Sequence, residues 1–208
     1  MTEGGSKGNG DKPLRTVRVP EHLSTAFEKA ERAVSSYFAE RRHDPTRGTI
    51  DVLGDRYVLV RAASLSVEFF RLVRELYGAE RVAEADLFAR NLLFDLAHAV
   101  GRSDARTFHE RMQLVDPHER LAAGPVHFAH TGWALVDILP GSRPVPNEEF
   151  HLFYDHPYSF EADAWIEADA QSDFPVCAMN AGYSGGWCEQ SYGVRLVACE
   201  VLCRARGD

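Results

Sequence analysis

All four cysteines of this 208-residue chain lie near its end, at positions 177, 188, 199 and 203, with Glu200 between the last two. Thiolates beside a carboxylate suit zinc, which takes sulfur, nitrogen and carboxylate ligands in a tetrahedral shell. Magnesium and calcium want oxygen shells instead. Glu200 and Cys203 are three apart on a stretch that reads as a strand, where a strict period of two would point them to opposite faces. Both reach one ion only if the strand bends or bulges there. Cys177, ahead of the preceding helix, can be folded back against that strand end. A closed structural site needs four ligands, and Cys177, Glu200 and Cys203 supply three. The alternative is a set of thiols buried as small apolar side chains, which is common for free cysteine. A redox pair is disfavoured, because the chain contains no C-x-x-C.

Other constellations are weaker. "GYSGG" places Ser184 between glycines, yet a nucleophile elbow must be followed by Asp and His, and no histidine follows Ser184. There is no dinucleotide fingerprint and no phosphate loop. His127 and His130, three apart on a segment read as a strand, face opposite ways and make no metal pair.

The elements that must position these residues follow from periodicity. Leu23, Phe27, Ala30, Val34 and Tyr37 are spaced 4, 3, 4, 3, which predicts a helix from Glu21 to about His43 and a seam that is either intramolecular core or a dimer contact. "GTIDVLGDRYVLVRA" reads as a hairpin turning at Gly54-Asp55. "SLSVEFFRLVRELYG" predicts a helix capped by Ser64 and stopped at Gly78. Val82–Val100 predicts a longer helix whose second half, "NLLFDLAHAV", is apolar nearly all round and therefore expected to be buried, with a separate helix over Asp104–Met112. "GPVHFAHTGWALVDIL" and "EEFHLFYDHPY" read as strands, "SFEADAWIEAD" as a helix after Ser159, "VCAMNAGYSGGWCEQSYG" as a helix loosened by glycines, and "VRLVACEVLC" as a last strand. Helices and hairpins are segregated, so the fold class is α+β, a mostly antiparallel sheet flanked by helices, with the N-terminal helix used in dimerisation. The divisions are a flexible tail (1–20), the N-terminal helix (21–46) and an α+β domain (47–208).

Composition bounds the function classes. The chain is 45% hydrophobic and 26% charged, as soluble globular proteins are, and its net charge of -8 argues against direct nucleic-acid binding. No apolar run is long enough to span a bilayer, and the N-terminus has no secretory h-region. The thiols then point to the reducing cytoplasm.

The blocks "GTIDVLGDRYVLVRAASLSVEFF", "GPVHFAH", "YDHPYSFEADAW" and "FPVC…AGYSGGWCEQSYG…CEVLCRARGD" resemble the XylR-type sensory domain of bacterial activators of aromatic catabolism, from about Arg47 onward. The part from about 125 to 208 resembles the 4-vinyl reductase domain. The resemblance implies a zinc site of one Cys, one Glu and two further Cys. Cys177, Glu200 and Cys203 match three of these, and the fourth, expected shortly after the "GD" pair, is absent from the chain. It also implies a small aromatic or hydrophobic effector, held in an apolar cavity by a His and an aromatic side chain. His127 and His156 occupy comparable places, with Trp133 and Tyr154 beside them. A homodimer and a downstream regulator or kinase partner complete the expectation. Two other readings stay open: a tetrapyrrole enzyme or chaperone, which would need a reductant for which no motif is visible, and a structural zinc-binding dimer module without a ligand.

Overall fold

The computed structural model describes residues 16–208, and the stretch read as a tail falls largely outside it. Val17–Arg18, however, forms β1, a parallel partner of β5 (Ala134–Ile138), so the ordered domain starts earlier than expected. β5 pairs antiparallel with β6 (Tyr154–Ser159) across an irregularity between Leu135 and Asp137, giving the order β1-β5-β6. A second sheet, β2 (Arg41–Asp44), β3 (Thr49–Val52) and β4 (Asp55–Tyr57), is an antiparallel meander. The class is α+β.

Helix α1 covers Ser24–Ala39 after one turn of 3-10 helix. It stops short of His43 because Arg41–Asp44 pairs with Thr49–Val52 instead. The Asp44 carboxylate closes that turn by accepting from the backbone N–H of Thr46 (3.0 Å) and of Arg47 (3.3 Å). Gly54, at φ 91°, makes the expected β3–β4 turn. The seam of α1 does not face a partner. Phe27, Ala30, Val34 and Tyr37 are buried in their own domain, where α1 packs on α4 (Pro117–His130). A seam of that spacing serves an intramolecular neighbour as well as an external one, and here the neighbour is internal. These four side chains are therefore taken up by the chain's own core.

α2 is Val67–Tyr77, preceded by a 3-10 turn over Ala62–Leu65. Ser64 donates from its hydroxyl to Glu68 (2.8 Å) rather than capping the helix, and Gly78, at φ 83°, ends it. α3 runs without a break from Val82 to Arg111, where two helices were expected. Gly101 stops nothing. A Cβ there would strike the backbone carbonyl of Tyr183 on α6 (Ala178–Tyr192). The same holds for Gly182 against the Phe94 carbonyl and Gly186 against that of His98. These three glycines let α3 and α6 approach backbone to backbone, the most extensive helix contact among the described residues. Only one side of "NLLFDLAHAV" is buried: Leu93 and Ala97 are core, whereas Leu92 and Leu96 are exposed.

The "GPVHFAH" block is helical, not a strand. Pro117 starts α4, and Asp116 caps it by accepting from the N–H groups of His118 (2.8 Å) and Glu119 (3.1 Å), an Asp-Pro signal that outweighs the β-branched residues downstream. α5 (Phe160–Glu167) starts as expected at Ser159, whose hydroxyl accepts from Ala162 N–H. The segment 194–203 makes no ladder and is not a strand; its Glu200 and Cys203 side chains accept from the backbone N–H groups of Cys177 and Val176.

Candidate functional site

A narrow apolar cavity of about 30 Å³ lies between α4, β5, β6 and α6 and opens to solvent on one side. Each wall follows from a local pattern. Along β5 the alternation puts Val136 and Ile138 on the inner face, and β6 adds Tyr154. From α6 come Tyr183, Ser184, Trp187 and Cys188, two adjacent pairs one turn apart, so that one helix face lines the space. α4 contributes Leu121, Gly124 and Phe128. Gly124 is required there, because a Cβ would collide with the Trp187 indole.

Polar groups stand just outside this lining. The half-buried His156 ring sits 5.1 Å from Tyr154 and 5.6 Å from Phe128, both cavity residues, and its buried Nε2 has no hydrogen-bond partner among the described residues. Burial lowers its pKa to about 4, so at neutral pH it is an uncharged imidazole able to meet one hydroxyl. Trp133 packs at 4.8 Å from Tyr183 and 5.5 Å from Phe128, behind the wall rather than in it.

His127 is elsewhere. Being on a helix, it points away from the cavity, fully buried, and its Nδ1 shares a hydrogen bond with the Tyr183 hydroxyl at 3.0 Å. The same hydroxyl donates to Asp104 Oδ2 at 3.0 Å. Burial takes His127 down to about 3 and lifts Asp104 to about 6, against the lowering influence of the Tyr183 bond. Of the four expected binding residues, Tyr154 lines the cavity, His156 and Trp133 adjoin it, and His127 fixes the polar end of Tyr183. Tyr183, Phe128, Trp187 and Cys188 were not expected. Their signal was the one-turn spacing of 183-184 and 187-188, which the glycines around it obscured.

The second constellation is sulfur-rich. One ligand atom from each of Cys177, Glu200 and Cys203 lies within 4.8 Å of the others. Cys177 precedes α6, while Glu200 and Cys203 come from the unladdered C-terminal segment, so the period-two objection to their sharing an ion disappears with the strand. Cys177 N–H donates to Glu200 (2.7 Å), Val176 N–H to Cys203 Sγ (3.5 Å), and Asp208 accepts from Cys203 N–H (2.9 Å). The hydrogen bond between the two thiols, aided by burial, raises Cys177, and the same bond lowers Cys203 to about 5. Burial first, and then Cys203, pushes Glu200 up to about 8. A cluster that crowds acidic groups in this way gains by exchanging protons for a divalent cation. The set fits zinc: two soft thiolates and a carboxylate, with backbone N–H groups orienting two of the three. Cys188 lines the cavity and Cys199 is exposed, and neither belongs to the cluster. The four thiols are free.

No protein-family model matches the chain. The transcriptional regulatory protein XylR of Pseudomonas putida is 27% identical over 156 residues, covering 75% of this chain and 26% of XylR. The phenol regulator MopR of Acinetobacter guillouiae is 25% identical over 111 residues, 53% of this chain and 20% of MopR. Over these stretches the chain is homologous to XylR and MopR. It spans about a quarter of the length of these curated relatives. The phenol-responsive sensory domain of the transcription activator PoxR, in its crystal structure with phenol, superposes with a TM-score of 0.69 at 24% identity, covering 85% of this chain and 84% of that one. The two share a fold. Both curated relatives are regulators, and no helix of the described residues is long and apolar enough to cross a membrane.

Proposed function

We propose that this chain is the effector-sensing module of a cytoplasmic transcription regulator, that it takes a small phenol-like aromatic into the cavity between α4, β5, β6 and α6, and that it senses rather than catalyses. The observation that carries the reading is the pairing of an apolar cavity with an uncharged His156 whose Nε2 is buried and lacks a partner among the described residues. Apolar walls hold a ring, and one unsatisfied nitrogen orients a hydroxyl. Zinc at Cys177, Glu200 and Cys203 has a structural role in this reading, since the neighbouring carboxylate, Glu161, is engaged by the backbone N–H groups of Met179 and Asn180. The named relatives, two of them tied to phenol by name or by bound ligand, support the same substrate class.

Thermal unfolding with phenol, toluene and cyclohexanol tests it. A ligand present at about 100 times its dissociation constant stabilises the folded state by about 2.7 kcal/mol. Phenol is expected to shift the midpoint most, and His156→Ala to abolish the preference for phenol over toluene while leaving the unliganded midpoint nearly unchanged. Absence of any shift with millimolar monocyclic aromatics would overturn the reading. A coloured preparation carrying a tetrapyrrole would replace it.

A further inference from the structure

The lack of a C-x-x-C pair argues against redox chemistry only for thiols that are neighbours along the chain. In the fold, Cys177 and Cys203 come from different elements, the head of α6 and the C-terminal segment, and their sulfurs lie within 4.8 Å of each other. A disulfide is about 2 Å long, so closing it takes a movement of about 3 Å or less. Cys203 is the partner free to make that movement. Residues 194–203 join no ladder, and the Cys203 N–H is bonded within its own segment, to Asp208 at 2.9 Å. Cys177 is the fixed partner. Its sulfur is hydrogen-bonded to the Ser159 hydroxyl at 3.3 Å, and its backbone leads directly into α6.

The same segment admits a small oxidant. Cys203 is 3% exposed, yet Val201 and Leu202 just before it are 75% and 69% exposed, so its sulfur lies one residue beneath the surface. Local opening of a stretch without ladder bonds costs little. A hydroperoxide then meets Cys203 first. The Cys203 sulfur attacks one peroxide oxygen, the O–O bond breaks, and the other oxygen leaves as water, carrying the thiol proton; Cys203 becomes the sulfenic acid. The Cys177 sulfur attacks the sulfenic sulfur, the S–S bond forms, the S–O bond breaks, and a second water leaves with the Cys177 proton. Two thiols and one hydrogen peroxide thus become one disulfide and two waters. Starting from zinc-bound thiolates, the two protons come from solvent and the ion departs, because a disulfide sulfur is no longer a thiolate ligand.

We propose that Cys177 and Cys203 are a modification site, closing to a reversible disulfide on exposure to hydroperoxide. In a reducing compartment such a bond is transient and is reopened by thiols. The closure needs no ion; only the accompanying zinc release rests on the structural-zinc reading above. The test treats the folded 208-residue protein, stripped of metal with chelator, with a molar excess of hydrogen peroxide and maps the products by peptide mass spectrometry. One disulfide joining Cys177 to Cys203 is expected. The thiol titre after denaturation should fall from four per chain to about two and be restored by dithiothreitol. The oxidised protein should melt above the stripped, reduced one, since the bond closes a loop. In protein that carries zinc, one ion should leave for each disulfide formed; protein isolated without zinc counts against the zinc reading and leaves the disulfide measurement intact. Cys203→Ser should abolish the crosslink, and because the map is made on wild type, poor folding of that variant does not decide the matter. Sulfinic acid at either cysteine without a crosslink, a crosslink through Cys188 or Cys199 instead, or four intact thiols would overturn the proposal.

Discussion

Replacing Asp104 by Asn should stabilise this protein at neutral and alkaline pH. Asp104 sits on α3 behind the cavity wall, where its only side-chain hydrogen bond among the described residues is the one it accepts from the Tyr183 hydroxyl at 3.0 Å. No cation pairs with it, and Asp55 adds a like charge, so burial wins and its pKa rises from 3.8 to about 6. A carboxyl whose folded pKa lies above its unfolded one binds its proton more tightly when folded. Its stabilising contribution is fully present below pH 3.8 and is lost as pH rises through about 6. At about 1.4 kcal/mol per unit, the loss by pH 8 is on the order of 3 kcal/mol. An Asn oxygen still accepts from Tyr183, and the amide never ionises. If its N–H₂ finds no partner, about 1–2 kcal/mol is given back. The expected outcome is a variant about 1–3 kcal/mol more stable than wild type at pH 8 and equal or slightly weaker at pH 4. Urea unfolding of both proteins from pH 4 to 8 measures the difference directly. A difference that is flat with pH, or that grows in favour of wild type as pH rises, would refute the reasoning and imply an unseen partner holding the carboxylate charged.

Gly182→Ala drives a methyl into the Phe94 carbonyl and should cost at least about 2 kcal/mol in urea unfolding, whereas Gly141→Ala, with nothing within 4 Å, should cost almost nothing. Glu161→Ala strips the acceptors from the buried N–H groups of Met179 (2.9 Å) and Asn180 (2.8 Å) at the start of α6, and a loss of about 3 kcal/mol is expected by the same assay. Protein prepared without chelator should contain one zinc per chain by elemental analysis; Cys203→Ala should lose it, and adding chelator to wild type should lower the melting midpoint. Zinc far below one per chain, with chelator inert, returns Cys177 and Cys203 to the ordinary core.

The sequence disclosed its regular elements well where one signal acted alone. The 4-3-4-3 spacing of α1, the Gly54 turn and the Ser159 cap each belong to a local pattern, and each fell where expected. It misled where two causes produce the same letters. A glycine inside a helix reads as a break, yet Gly101, Gly182 and Gly186 are present because α3 and α6 touch through their backbones, a cause that lies on the other helix. The apolar seam of α1 reads as a dimer contact until α4 is known to cover it. "GPVHFAH" carries β-branched and aromatic residues, but Asp116-Pro117 before it commits the chain to a helix, and that reversal moved His127 from cavity wall to the far side of Tyr183. The thiol cluster was visible only as a set of residue types. Its geometry depends on 194–203 leaving the sheet, which no periodicity announces.

The two constellations are joined through one helix. Cys177 immediately precedes α6, and Tyr183, Ser184, Trp187 and Cys188 follow on the face that lines the cavity. The start of α6 is held by Glu161 beneath and by the Glu200–Cys177 contact at its side, while the C-terminal segment that supplies Glu200 and Cys203 has no ladder of its own. An ion drawing those three side chains together would therefore fasten an otherwise weakly tied segment to the end of the helix that shapes the cavity. Its energetic effect would be felt as rigidity of the cavity wall rather than as chemistry at the effector. That ordering explains why a sensor would keep a metal beside its cavity and not within it: walls fixed in advance reduce the entropy cost of ordering the site when a small ring enters. The glycine contacts between α6 and α3 act in the same sense. They tie the cavity wall to α3, so the cavity and the thiol cluster both bear on one closely packed pair of helices.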